Sequence, residues 1–285
     1  MSQPMYREGD KGQEVKRVQG ALGGLKVDGD FGPKTKKAVQ DYQQAESLEV
    51  DGIIGPATRK ALKIDIYAGI DVSHWNGNVR WGALADSKVK FVWTKISQGF
   101  NFVDSASARN LKGCRENNIV VGGYHFPRLE EDQNNSKSPE LEVKHFLKTY
   151  GGPIPKGDML PVLDLEAGVK GDPDYNRQWA LEWLRVFENE TGLRPVVYTA
   201  KWYVNGYLRK DVGDLKKYKL WVADYTKPYN KGGRNEPDTT CGWDKWEAWQ
   251  WTSKGSPSIL DQTGIRKCDM NWIPGGHAAF DSFIV

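Results

Sequence analysis

Histidine and cysteine are both scarce in this chain of 285 residues, with four of the first and three of the second. His74, His125, His145 and His277 are scattered, with no H-E-x-x-H and no C-x-x-C beside them. A zinc amidase or peptidase needs three convergent ligands and finds no support here, so neither a metal nor any other cofactor is expected. Cys114, Cys241 and Cys268 are odd in number and far apart, which makes neither a disulfide framework nor a metal pair. Reduced structural thiols are the expectation. The motif G-x-S-x-G is missing, which leaves a serine hydrolase unsupported. No apolar run approaches a membrane span, and the opening residues Met1 to Glu8 carry no apolar signal-peptide core. The expectation is a soluble chain without a signal peptide, made in the cytoplasm and not inserted in a membrane. Blocks of one charge are absent too: 40 Lys and Arg stand against 37 Asp and Glu, and the net charge of +3 is too small and too mixed to imply nucleic acid.

What the chain has in quantity is aromatic surface, with twelve tryptophans and twelve tyrosines. Most belong to a core, but flat aromatic faces also serve sugar rings, so the excess leans toward a carbohydrate ligand. The length suits a large α/β unit plus a small module.

The small module shows itself as a repeat. Val27-Asp28-Gly29-Asp30-Phe31-Gly32-Pro33-Lys34-Thr35 returns as Val50-Asp51-Gly52-Ile53-Ile54-Gly55-Pro56-Ala57-Thr58. Each copy reads as a tight Asp-Gly turn followed by Gly-Pro leading into a helix, where a proline's missing N–H does no harm. Val15, Val18 and Leu22 at helical spacing predict a helix over Gln13–Leu22, and Ala38 to Ala45 continues the first repeat. These residues resemble a peptidoglycan-binding domain of the three-helix type, whose marker is D-G-x-[FI]-G-P-x-T. The named positions are turn and cap chemistry, so they hold the fold, and the ligand contacts stay unassigned. The module is drawn at residues 1–63. No Gly/Ser or Pro-rich spacer follows it, so the second unit, residues 64–285, is expected to sit close to the first.

In the large unit apolar strand-like runs alternate with amphipathic segments. Strands are predicted at Tyr67–Val72, Phe91–Ile96, Ile119–His125, Met159–Glu166, Pro195–Thr199, Leu220–Tyr225, Glu247–Thr252 and Arg266–Asn271, with helices over Ala106–Asn117, Leu141–Tyr150 and Tyr175–Thr191. Eight strands, several separated by helices, predict a (β/α) barrel, irregular in its last third where the intervening segments are too short or polar for good helices. The most telling strand ends in Asp164-Leu165-Glu166. Side chains alternate along a strand, so both carboxyls project from one face roughly 6–7 Å apart, with Val162 beside them. Crowded carboxyls resist joint ionisation, and a protonated acid beside an ionised one is what glycosidic cleavage uses. The other strand ends, where a barrel carries its chemistry, offer Asp71, Lys95, Tyr124, His125, Tyr198, Asp224, Gln250 and Asp269. An acid at such a rim is in other cases only a helix cap.

These ends carry a second resemblance. Gly69-Ile70-Asp71-Val72-Ser73-His74-Trp75-Asn76-Gly77, Gly123-Tyr124-His125-Phe126, Asp164-Leu165-Glu166, Trp221-Val222-Ala223-Asp224-Tyr225, Trp249-Gln250-Trp251 and Asp269-Met270-Asn271 run in the order of family 25 glycoside hydrolases, the muramidases often called Chalaropsis-type lysozymes. The resemblance implies an irregular TIM-like (β/α)5β3 barrel behind a small all-α domain. It implies Glu166 as general acid, Asp164 as stabiliser of positive charge or orienter of the substrate's acetamido group, and Asp71 and Asp269 as further acids of the groove. Tyr124, His125, Tyr198, Asp224, Trp249 and Gln250 would bind substrate. Asn76 stands where the family often has Gln, which shortens one polar contact.

The activity implied is a retaining, metal-independent N-acetylmuramidase that cuts the β-1,4 bond between N-acetylmuramic acid and N-acetylglucosamine of bacterial peptidoglycan. Retention through a covalent glycosyl-enzyme or through the substrate's own N-acetyl group is left open by the sequence. The modular organisation resembles a phage endolysin, a monomer held in the host cytoplasm until lysis. The rivals are a chitinase-like glycosidase, whose usual D-x-x-D-x-D-x-E is lacking here, and a wall-binding protein whose barrel has lost activity.

Overall fold

The computed structural model describes residues 4–87, 89–129, 138–225, 236–255, 263–265 and 267–285. Three helices open the chain: α1 (Gln13–Leu22), α2 (Pro33–Ala45) and α3 (Pro56–Ala61). Pro33 and Pro56 each occupy the first helical position behind an extended glycine. The repeat is a physical duplicate as well as a sequence one. Gln19 Nε2 donates to Asp28 Oδ1 (2.9 Å), the Asp30 carbonyl (3.0 Å) and Thr35 Oγ1 (3.2 Å), while its carbonyl accepts from the Gly29 amide (2.8 Å). Gln43 does the same to Asp51 (2.7 Å), Ile53 (3.0 Å), Thr58 (3.1 Å) and Gly52 (2.9 Å). Each buried glutamine thus satisfies a turn whose glycine sits at positive φ, 79° and 72°. The marker residues of the repeat are occupied in holding the fold. Tyr6, Val15, Val18, Phe31, Val39 and Ile54 fill the small core.

The large unit is a closed barrel. Its strands are β1 (Ile66–Val72), β2 (Val89–Gln98), β3 (Phe102–Val103), β4 (Val120–Phe126), β5 (Val162–Asp164), β6 (Val196–Ala200), β7 (Lys219–Ala223), β8 (Ala248–Thr252) and β9 (Asp269–Pro274). The order β1-β9-β8-β7-β6-β5-β4-β2 closes through the β1–β2 pairing, and β3 is a two-residue arm folded back on β2. Around the closed ring every neighbouring pair is parallel except those made by β9, which runs against both β8 and β1; the β3 arm is antiparallel to β2. Helices α4 (Trp81–Ala85), α5 (Ser107–Glu116), α6 (Ser138–Tyr150), α7 (Pro173–Thr191) and the short α8 (Lys201–Tyr207) follow successive strands. Among the described residues no helix connects β7 to β8 or β8 to β9.

Alternation sorts the side chains into two layers. Inward residues Phe91, Trp93, Val162, Val196, Tyr198, Trp221, Ala248 and Ile273 form the barrel's own core, closed at its base by Phe280 and Phe283 of the C-terminal segment. Outward residues such as Leu163, Val197, Leu220 and Trp249 meet the helices in a second cluster. Two inward glycines make room for this filling: a Cβ on Gly69 would lie 2.3 Å from the Phe91 ring, and one on Gly122 would lie 2.9 Å from Trp93.

Two strand expectations need correction. Met159–Glu166 narrows to Val162–Asp164: Met159 bridges Ile284, and the Glu166 amide turns back to the Asp164 carbonyl (3.1 Å). Arg266, the start of the last predicted strand, lies outside the described residues, and the strand begins at Asp269 and runs on to Pro274.

The small unit sits against the far end of the barrel from the strand ends that carry the acids. Gln13 and Trp246, just before β8, exchange two hydrogen bonds (2.7 and 3.2 Å). Arg17 donates to the Pro274 carbonyl, stacks over Trp246 at 5.9 Å and pairs with buried Glu14 at 3.0 Å.

Candidate active site

At the open end of the barrel lies a cleft lined by Asp71, Tyr124, Asp164, Glu166, Tyr198, Trp221, Tyr225, Gln250 and Asp269. Its floor is aromatic: Trp221 stacks on Trp93 at 4.2 Å, and Tyr198 meets Trp221 edge-on at 4.6 Å. Its walls are carboxyls and amides.

The acids form two pairs. Asp71, next to last in β1, faces Asp269, the first residue of β9, across the antiparallel register. Asp71 Oδ2 accepts from Gln250 Nε2 (2.8 Å) and Asn271 Nδ2 (2.7 Å). Both amides are fixed by groups behind them. Trp221 Nε1 can only donate, and it donates to Asn271 Oδ1 (2.9 Å), so the Asn271 NH2 must face Asp71. Tyr198 (2.8 Å) and Tyr225 both donate into Gln250 Oε1, which orients that amide the same way. Burial, with the charge of Asp269 second, pushes the Asp71 carboxyl well above the carboxylate range, so the Asp71–Asp269 pair holds a proton between its two carboxyls. Asp269 is itself pushed up to about 6, chiefly by burial.

Asp164 and Glu166 form the second pair. Asp164 ends β5 beside Tyr198 of β6. Glu166 stands beyond the strand, on the turn that the Asp164 carbonyl closes, and Leu165 points into the outer cluster. Burial raises both carboxyls, and Lys95 opposes the rise at each. The shift is larger at Asp164, the deeper group, where the Glu166 charge adds to burial. The pair therefore titrates as a unit that holds on to a proton. Asp164 Oδ1 is buried without a hydrogen-bond partner, an acceptor left open at the wall of the cleft. Lys95, whose Nζ donates to Gln98 Oε1 (2.7 Å) and lies 4.6 Å from the Phe126 ring, has its own pKa lowered by burial.

Of the ten expected site residues the cleft gathers seven: Asp71, Tyr124, Asp164, Glu166, Tyr198, Gln250 and Asp269. The other three are corrections. His125 is fully buried on the outward face of β4, stacked on Trp183 at 5.5 Å and bonded to Ser97 Oγ (2.8 Å) and Glu142 Oε2 (2.5 Å). Trp249 is outward on β8, 1% exposed, edge-on to Trp272 at 5.4 Å, with Nε1 donating to the Asp224 carbonyl (3.0 Å). Asp224 turns to its own loop and accepts from the Asp238 amide (2.8 Å). All three stand next in sequence to an inward residue, so alternation sends them the other way. Trp221 and Tyr225 were missed as site residues, and the same alternation finds them, because they share a face with Ala223 on either side of it.

Asn76 has a defined place. Its Oδ1 accepts from the Ser73 amide (2.8 Å) and its Nδ2 donates to the Lys267 carbonyl (3.0 Å), tying the loop after β1 to the approach to β9. Cys114, Cys241 and Cys268 are free and buried. No group of three or more His, Cys, Asp or Glu among the described residues is placed to hold a metal ion.

A barrel that gathers four carboxyls, two of them on a D-x-E strand end, over an aromatic floor is the architecture of a retaining or inverting glycosidase. The profile of glycosyl hydrolases family 25 matches residues 70–258, and that of a peptidoglycan binding domain matches residues 11–62. The chain belongs to glycosyl hydrolases family 25, with a peptidoglycan-binding-type domain in front. Among curated proteins, the uncharacterized protein YegX of Escherichia coli K12 is 28% identical over 194 residues, and lysozyme M1 of Streptomyces globisporus is 27% identical over 194 residues. Each match covers 66% of this chain, with 63% of the YegX length and 62% of the lysozyme M1 length. Among solved structures, the CTP1L endolysin superposes with a TM-score of 0.60 at 25% identity, covering 76% of this chain and 69% of that one.

Proposed function

We propose that this protein is an N-acetylmuramidase that cleaves the β-1,4 bond between N-acetylmuramic acid and N-acetylglucosamine in bacterial peptidoglycan. The observation that carries the reading is the Asp164–Glu166 pair, a buried and a half-buried carboxyl that hold on to a proton at the mouth of an aromatic-floored cleft. Glu166 is the donor because it stands past the strand end, where a leaving oxygen can reach it. Asp164 is the partner of the substrate's 2-acetamido group: its open Oδ1 accepts the acetamido N–H and leaves the acetamido oxygen aimed at the anomeric carbon. Glu166 protonates the glycosidic oxygen, the C–O bond breaks, and the acetamido oxygen bonds to C1 to give a cyclic oxazolinium ion. A water that returns its proton to Glu166 opens the ring, with net retention. The hydrogen-bonded Asp71–Asp269 pair, anchored by Gln250 and Asn271, presents negative charge to the developing cation from the opposite wall.

The small unit is read as a wall anchor that raises the local concentration of the barrel on murein. The pairing of anchor and hydrolase, together with the likeness to the CTP1L endolysin, supports a lytic enzyme of the endolysin kind. Mass spectrometry of fragments released from purified sacculi tests the reading: new reducing ends on N-acetylmuramic acid support it, and reducing N-acetylglucosamine or peptide products refute it. Glu166→Gln should lose about 10²–10⁴-fold in rate while still binding sacculi, the ordinary cost of removing a general acid.

A further inference from the structure

One rim of the cleft continues outward as a run of rings. Lys95, whose charge bears on both Asp164 and Glu166, lies 5.9 Å from the Phe102 ring of β3. Phe102 lies 6.1 Å from His74, and His74 lies 4.5 Å from Trp75, on the loop that leaves β1 after Val72. Trp75 is 85% exposed, and Phe100 beside this arm is also open to solvent.

A single exposed tryptophan is ordinary on a protein surface. This one stands on a turn braced from four sides. His74 Nδ1 (2.6 Å) and its backbone amide (3.2 Å) both bond to Oδ2 of Asp104, a carboxylate 1% exposed whose other oxygen accepts from the Ala106 amide (2.9 Å). Ser73 and Asn76 cap the turn reciprocally, and Asn76 ties it across to Lys267. His145 Nε2 meets the Phe102 carbonyl at 2.9 Å and clamps the β3 arm from below. With Nδ1 committed to Asp104, the Nε2 edge of the half-exposed His74 ring remains available, because no hydrogen bond to it is made among the described residues.

We propose that Trp75, His74 and Phe102 form an outer sugar subsite that holds a pyranose ring of the same glycan strand, beyond the two sugars that flank the cleaved bond. This deepens the muramidase reading and rests on it. The indole face takes the apolar C–H face of the sugar, and His74 Nε2 bonds to a hydroxyl or acetamido group at the ring's edge. Continuity with the cleft selects a sugar of the bound strand as occupant. The alternation of rings with the polar His74 and Lys95 suits a pyranose, which carries both characters on one ring, better than an apolar protein face.

The test compares long peptide-free glycan strands with a tetrasaccharide of alternating N-acetylglucosamine and N-acetylmuramic acid. Trp75→Ala should lower the ratio of kcat/KM on the long strand to that on the tetrasaccharide by about three- to tenfold, the loss residing in KM, as expected when one aromatic platform is removed. Trp75→Phe should recover part of that loss. The same pair of variants is also placed in the Glu166→Gln background, where binding of long strands is followed by calorimetry. Weaker binding with Trp75→Ala supports the subsite even where the parent protein shows no muramidase turnover, an outcome that overturns the reading of the activity alone. An unchanged length ratio in turnover, or unchanged calorimetric affinity, overturns the subsite.

Discussion

Asp269 is the carboxylate whose linkage to folding can be worked through. Its pKa is pushed up to about 6 from an ordinary 3.8, with burial as the leading cause. A carboxyl whose pKa is higher in the folded state contributes stability below its unfolded pKa and loses it as the pH climbs through the folded value. The loss therefore begins near pH 4 and is complete above about pH 7. At ~1.4 kcal/mol per pKa unit, the folded state at pH 8 carries a penalty of roughly 3 kcal/mol for holding this side chain ionised. Asp269→Asn removes the ionisation and keeps a carbonyl oxygen for the Asp71 proton. For a unit of this size the variant should melt about 5–10 °C above the parent at pH 8 and within about 2 °C of it at pH 4. The assay is thermal unfolding followed by tryptophan fluorescence, which reports chiefly the barrel because all twelve tryptophans lie at residue 75 or later, with Trp246 at the contact with the small unit. A difference in Tm that stays constant with pH, or a variant that melts lower at pH 8, would show that Asp269 is not held against its ionisation. The stabilised variant should be a poor catalyst, as expected where an active site keeps unfavourable charge for use.

His125→Ala should cost about 3 kcal/mol of stability, because it strips the ring from Trp183 and leaves the buried Glu142 carboxylate short of a partner. Turnover per folded molecule should hold, whereas a raised KM in an equally stable variant would return His125 to the substrate. Activity should survive exhaustive EDTA treatment of enzyme and murein, since the proposed steps use only carboxyl protons and an acetamido nucleophile. Its alkaline limb should lie above the ordinary glutamate range, because burial raises both Asp164 and Glu166. Activity lost in EDTA and restored by zinc would point to an amidase or peptidase.

Much of the fold was legible because the barrel strands are short apolar runs bounded by polar turns. The longer helices were legible too, because apolar spacing and Gly-Pro starts mark them; Tyr175–Thr191 falls within Pro173–Thr191, whereas the short Trp81–Ala85 and Lys201–Tyr207 were not predicted. The antiparallel β9 was not. Nothing local distinguishes Asp269–Pro274 from a parallel strand; its direction shows only in its pairing, against both β1 and β8. The shortening of β5 was hidden as well. Leu160-Pro161-Val162-Leu163-Asp164-Leu165-Glu166 alternates correctly for a strand, and the strand stops only because the Glu166 amide bonds back to Asp164.

For the site, the acids were legible as types and the faces decided the rest. In a closed barrel one parity fills the lumen and the other meets the helices. Once Asp164 is taken as inward, register carries the choice from strand to strand: Asp164 pairs with Tyr198, Tyr198 with Trp221, and Trp221 with Ala248. Two residues further along, Ala223 pairs with Gln250, and Gln250 with Asn271. This one rule admits Tyr198, Trp221, Gln250 and Asn271 and rejects His125, Asp224 and Trp249, each a single residue out of phase. Chemistry-bearing side chains at strand ends were selected by type, and a histidine or aspartate looks as suitable as its neighbour by that measure. Phase supplies what type lacks, so the amide of Asn271, unremarkable in the sequence, proves to be one of the two groups that hold Asp71 in place.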